Sequence, residues 1–127
     1  MDRAEVEELF SRHAEKNIHL IGLRAELTEL NYQLANWQTA ERIEELEAMA
    51  EGLEADINEA ENIWTDEVEA IKELILELPN EKQKTILGMR YLAHMKYSDI
   101  AEALGYSEPN VYVLHRNGLE AIKEKFV

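Results

Sequence analysis

Apolar positions in the first half of the chain fall on two helical registers. Leu20, Leu23, Leu27, Leu30, Leu34 and Trp37 alternate three and four apart, as do Ile43, Leu46, Ala50, Leu53, Ile57, Ala60 and Trp64. That is the spacing of one helix face, not the alternation of a strand. Extending the first register lands on Glu41 and Glu44, so the phase breaks between Trp37 and Ile43. Thr39, in the polar stretch Gln38-Thr39-Ala40, is suited to cap a new helix there. Two helices joined by so short a connection predict an antiparallel helical hairpin. Trp37 and Trp64, both on stripe positions, are expected as core anchors.

From Ile63 onward the apolar face widens, with Ile63, Val68, Ala70 and Ile75 joining Ile71, Leu74 and Leu78. A face this broad exceeds what a two-helix seam needs, so this end is expected to pack against the C-terminal segment. Pro79-Asn80 punctuates the chain, because a residue before proline leaves helical geometry and Asn caps the next helix well. The predicted division is a helical arm over 1–78 and a module over 79–127. Heptad-like spacing makes the arm a coiled-coil candidate and a place where a homodimer could form. Glu47, Glu54, Asp56 and Glu61 flank the second seam, however, and a parallel pair would set acid against acid there.

Beyond Asn80, a helix is predicted from Glu81 to Leu92, with Ile86, Leu87, Tyr91 and Leu92 facing the core and an end near His94-Met95. The next helix, through Asp99–Leu104, stops at Gly105, and Ser107 caps a third in which Pro109 stands where its missing N–H is not needed. Small Ala101 allows close approach, Gly105 permits a left-handed turn, and Val111 and Leu114 close the core from the far side. The fold class is all-α, an acidic helical arm followed by a C-terminal helix-turn-helix. With Val111 at the centre of the buried face, a 100° step puts Leu114, Gly118, Leu119, Ile122 and Phe126 inside. Ser107, Pro109, Asn110, Tyr112, Val113, Arg116 and Asn117 are left as the candidate DNA-binding residues, with Tyr112 and His115 at the edges of that face. Asn reads adenine in a bidentate fashion, and Arg reads guanine or holds a phosphate.

Charge refines this reading. The formal net charge is -14, yet residues 1–78 hold 21 acids against 6 bases and residues 79–127 hold 6 against 7. The acid therefore belongs to the arm, and a near-neutral module is free to approach a polyanion. There is no cysteine, which excludes disulfides, thiolate metal sites and a catalytic thiol. His13, His19, His94 and His115 are scattered without metal-ligand spacing, and pairs such as Glu7-Glu8 and Glu44-Glu45 lie in helical runs whose default is a solvated face. No catalytic residue, metal or cofactor is expected, and the chain reads as a non-enzyme. Neither a secretion signal nor a membrane-length apolar run is visible, and the expected location is cytoplasmic.

Leu78-Pro79-Asn80-Glu81, Met89-Arg90-Tyr91-Leu92, Tyr97-Ser98-Asp99-Ile100-Ala101-Glu102, Leu104-Gly105-Tyr106-Ser107 and Val111-Tyr112-Val113-Leu114-His115-Arg116 together resemble region 4 of sigma-70-type RNA polymerase sigma factors, over about residues 78–124. The Tyr-Ser start and Val-Tyr recognition helix, preceded by an acidic arm, look most like short sigma-like regulators of phages and prophages of Gram-positive bacteria, among them late-operon and autolysin regulators. The resemblance implies binding of a double-stranded promoter element and contact with RNA polymerase. It departs at Glu108, Asn110, Tyr112 and Val113, where sigma recognition helices tend to carry basic or hydroxylated residues, and nothing in the chain resembles the promoter-melting region. The alternative reading, drawn from the arm, is an acidic protein-binding inhibitor or adaptor of a polymerase or nuclease, with a degenerate helix-turn-helix.

Overall fold

The computed structural model describes residues 1–126, and among them there are helices and no strands. The helices are α1 (Arg3–Ala35), α2 (Ala40–Leu76), α3 (Glu81–Leu87), α4 (Tyr97–Leu104) and α5 (Glu108–Lys123), with a π-helical turn over Gly88–Leu92 continuing α3. Side-chain caps set four of the five starts. Glu5 N–H donates to Asp2 Oδ1 at 2.8 Å, Arg42 N–H to Thr39 Oγ1 at 3.2 Å, Gln83 N–H to Asn80 Oδ1 at 3.1 Å and Asn110 N–H to Ser107 Oγ at 3.3 Å. Each satisfies a donor that has no partner within its own helix.

The residues divide into two compact units, one of residues 15–65 and one of residues 1–14 with 66–127. In the first, α1 and α2 run side by side in opposite directions, as the phase break predicts. Leu30, Leu46 and Ala50 are buried among Leu27, Leu34 and Leu53, and Arg24 pairs with Glu61 at 2.8 Å. The predicted seam is thus filled within one chain. Trp37 differs from expectation. It is 90 % exposed, because α1 ends at Ala35 and the ring lies in the connection, where helical register no longer aims it at the seam. Trp64 is half-buried, and Ile63, expected on the widened face, is 45 % exposed.

The second unit surrounds the helix-turn-helix, and it reaches well beyond residues 79–127. Val6, Leu9 and Phe10 of α1 pack with Ile71, Ile75 and Leu78 against Leu87, Tyr91 and Ile122. Phe10 meets the Tyr91 ring edge-on, with centroids 4.8 Å apart. The wide apolar face therefore finds its partner in the C-terminal helices, as expected, together with a first turn of chain that local pattern does not place there. His13 is buried in the same unit, its Nε2 3.0 Å from the Tyr91 carbonyl oxygen. Ion pairs Arg3–Glu120, Lys123–Glu7 and Lys125–Glu77 lie around this core at 3.2–3.4 Å. The exposed pairs, Arg3–Glu120 and Lys125–Glu77, contribute only about 0–1 kcal/mol each.

A second core, of Ile86, Ile100, Ala101 and Val111, holds α3, α4 and α5 together, with Leu104 and Leu114 packed on it. Gly105 ends α4 at φ 69°, the left-handed conformation the sequence calls for. Its N–H and that of Tyr106 bond back to Glu102 and Ala101 carbonyls at 3.3 and 2.9 Å. The predicted helix over Glu81–Leu92 is present, but its second half is π-helical. His94 then takes φ 55°, and Met95 N–H reaches back to the Met89 carbonyl at 3.0 Å to stop the helix where expected.

Candidate nucleic-acid interface

The turn at Gly105 and the cap at Ser107 fix the direction in which α5 leaves α4. Val111, Gly118 and Ile122 are buried along its inner face, and Leu114 and Leu119 are half-buried beside them. Gly118 is where α5 comes closest to α3. A Cβ there would lie 3.0 Å from Leu87 Cδ1 and 3.3 Å from Gln83 Cβ. The opposite face carries Ser107, Pro109, Asn110, Tyr112, Val113, Arg116 and Asn117, and all seven are exposed. They share one surface, because residues three and four apart stack on a helix.

Residues outside α5 organise the edge of this face. The Arg90 guanidinium sits 4.2 Å from the Tyr97 ring centroid and donates to the Met95 carbonyl at 2.9 Å. Tyr97 in turn lies 4.5 Å from Tyr112, centroid to centroid, so a chain of π contacts runs from the π-helical turn to the outward face. Sequence reasoning takes Arg90 and Tyr97 only as parts of a family pattern. Their positioning role depends on the turn that brings Gly88–Leu92 beneath α5. His115, placed at the edge by its spacing, turns inward. Its Nε2 is 2.7 Å from the Tyr91 hydroxyl and 3.4 Å from that of Tyr97.

Burial, with the nearby Arg90 charge as a smaller cause, lowers the His115 imidazole from 6.5 to about 4. At neutral pH the ring is therefore uncharged and shares a hydrogen bond with the hydroxyl of Tyr91, whose own ionisation burial pushes well above the usual range. His94 is lowered by the same two causes. The unfolded chain binds the His115 proton near pH 6.5 and the folded chain only at lower pH, so the His115 contribution to stability is complete above about pH 6.5 and is lost towards pH 4. A chemical-shift titration of His115 should give a midpoint near 4. A midpoint at the ordinary imidazole value would contradict this packing.

The charges of the module are partly spent on the protein itself. Lys84 pairs with Glu81, Lys123 with Glu7 and Glu120, and Lys125 with Glu77. Lys82, Lys96 and Arg116 are exposed and form no ion pair among the described residues.

Comparison with known families adds to this geometry. The family model described as Sigma-70, region 4 matches residues 68–122. The match begins ahead of Pro79, in the part of α2 whose Ile71 and Ile75 share a core with Leu87 and Ile122. No curated protein and no solved structure matches the chain. The chain therefore carries a sigma-70 region 4-like helix-turn-helix, which supports a DNA-binding, sigma-like regulatory role. No helix among the described residues is long and apolar enough to cross a membrane.

Proposed function

We propose that this chain is a transcription regulator of the short sigma-like kind, which docks on promoter DNA through the outward face of α5 and contacts RNA polymerase while there. One observation carries the reading. All seven residues from Ser107 to Asn117 singled out by their spacing are exposed on one face of a helix that the sigma-70 region 4 match includes in full up to Ile122. In this reading Asn110 and Arg116 contact base edges, Tyr112 and Val113 offer apolar contact to thymine methyls, and Ser107 and Asn117 contact the backbone. Polymerase contact is inferred from the scarcity of base: with Lys82, Lys96 and Arg116 as the exposed cations of the C-terminal module that form no ion pair among the described residues, DNA alone gives modest affinity.

A gel-shift series on DNA from the protein's own genomic neighbourhood tests this. Two phosphate contacts, from Lys82 and Lys96, give a slope of about -2 in log affinity against log salt. Arg116→Ala is expected to weaken binding roughly 5- to 100-fold and to relax preference at one base pair, with a smaller loss for Asn110→Ala. Absence of binding to any DNA tighter than about 10⁻⁴ M at low salt would sink the proposal.

A further inference from the structure

The seam between α1 and α2 uses one face of α1 and leaves the opposite one in solvent. That outer face is largely apolar too, with Thr28 as its one polar member, the hydroxyl of which donates to the Arg24 carbonyl at 2.9 Å. Ile18, Ile21, Ala25, Thr28, Tyr32 and Ala35 are all exposed, and they alternate three and four apart over two and a half heptads. Ile18 is 70 %, Ile21 56 % and Tyr32 66 % exposed, large fractions for such residues lined up on one helix. At 1.5 Å per residue the stripe is about 27 Å long. We infer that this face of α1 is where a second copy of the chain docks, as a parallel two-helix coiled coil.

Charge selects the occupant and the direction. The chain carries a net -14, so two copies repel over most of their surface. Along the stripe the flanking positions are Asn17, Gly22, Arg24, Glu29, Asn31 and Asn36, which sum to zero charge. With Ile18, Ala25 and Tyr32 at position a, Arg24 falls at g and Glu29 at the e position five residues on. In a parallel pair g of one helix faces e of the next heptad on the other, so Arg24 meets Glu29 of the second copy twice over by symmetry. In an antiparallel pair g meets g and e meets e, and these two charges never meet. Arg24 already holds Glu61 within its own chain at 2.8 Å, but the contact uses one of five guanidinium N–H donors. Packing against α2 has already fixed α1 as a helix, so association does not bear the nucleation cost that makes a free helix of this length marginal.

The inference stands whether or not α5 reads DNA, and its test needs no DNA. Light scattering at about 100 μM chain, a concentration at which a 10 μM interface is mostly formed, should give twice the 14.7 kDa of one chain. The double substitution Ile21→Glu with Tyr32→Glu, at exposed helical positions, should return the mass to 14.7 kDa while helical circular dichroism and Tm stay in place. The native chain has no cysteine, so a single one reports direction cleanly. Ile18→Cys and Ala35→Cys should each cross-link to themselves on oxidation. A monomer at that concentration, or a dimer that survives the double substitution, overturns the proposal. Cross-linking only in a mixture of the two cysteine variants overturns the parallel direction.

Discussion

Phe10→Ala should destabilise the unit that holds the helix-turn-helix by about 3–5 kcal/mol, the usual cost of emptying a buried phenylalanine site. Phe10 is 1 % exposed and lies edge-on to Tyr91, among Ile71, Ile75 and Ile122. Removing it leaves a cavity at the junction of α1, α2 and the π-helical turn. The effect should appear as faster hydrogen exchange at the amides of α3 and α5, while amides of α1 and α2 within residues 15–65 change far less. Loss of DNA affinity should accompany it, although Phe10 is remote in sequence from α5. A cost below about 1 kcal/mol would show that the first fourteen residues are not part of this core.

Gly118→Val should loosen the packing of α5 on α3 and destabilise the unit by about 1–3 kcal/mol. Glycine in a helix interior costs about 1 kcal/mol relative to alanine, so its presence at mid-helix needs a steric reason. The reason is Leu87, fully buried, whose Cδ1 would stand 3.0 Å from the first added carbon. Valine adds two further methyl groups with one stiff rotamer, and overpacking of this sort typically costs about 1–3 kcal/mol. Chemical denaturation of Gly118→Val and Gly118→Ala side by side is the check. Valine should fall below alanine by about 2 kcal/mol or more, and equal stabilities would mean that α5 moves off α3 without penalty.

Features written locally were legible in the sequence, and features that need a distant partner were not. Thr39, Asn80 and Ser107 act as caps because a short polar side chain and the amide it satisfies lie three residues apart. Gly105 is legible for the same kind of reason, since a left-handed φ is nearly a property of the residue itself. The outward direction of Asn110 and Arg116 follows from helical period once Val111 is placed inside. Trp37 misleads because periodicity does not say where a helix ends. The outer stripe of α1 is hidden by the inner one, for a helix apolar on two faces shows no single preferred side. Val6, Leu9 and Phe10 also have helical spacing, but nothing near them in the chain says that their neighbours are Ile71 and Ile122. Arg90 and Tyr97 are visible as a family pattern, whereas their stacking towards Tyr112 depends on a π-helical turn that leaves no evident local signature.

The discontinuous build of the helix-turn-helix unit has a consequence for the order in which the chain is made. Val6, Leu9 and Phe10 are made more than a hundred residues ahead of Ile122, which closes their core. At synthesis rates of about 5–20 residues per second, roughly 6 to 22 s separate the two events. The hairpin of residues 15–65 has everything it needs long before then. The apolar segment made first has to wait in solvent, so a growing chain passes through a stage with one unit closed and the helix-turn-helix unit still open.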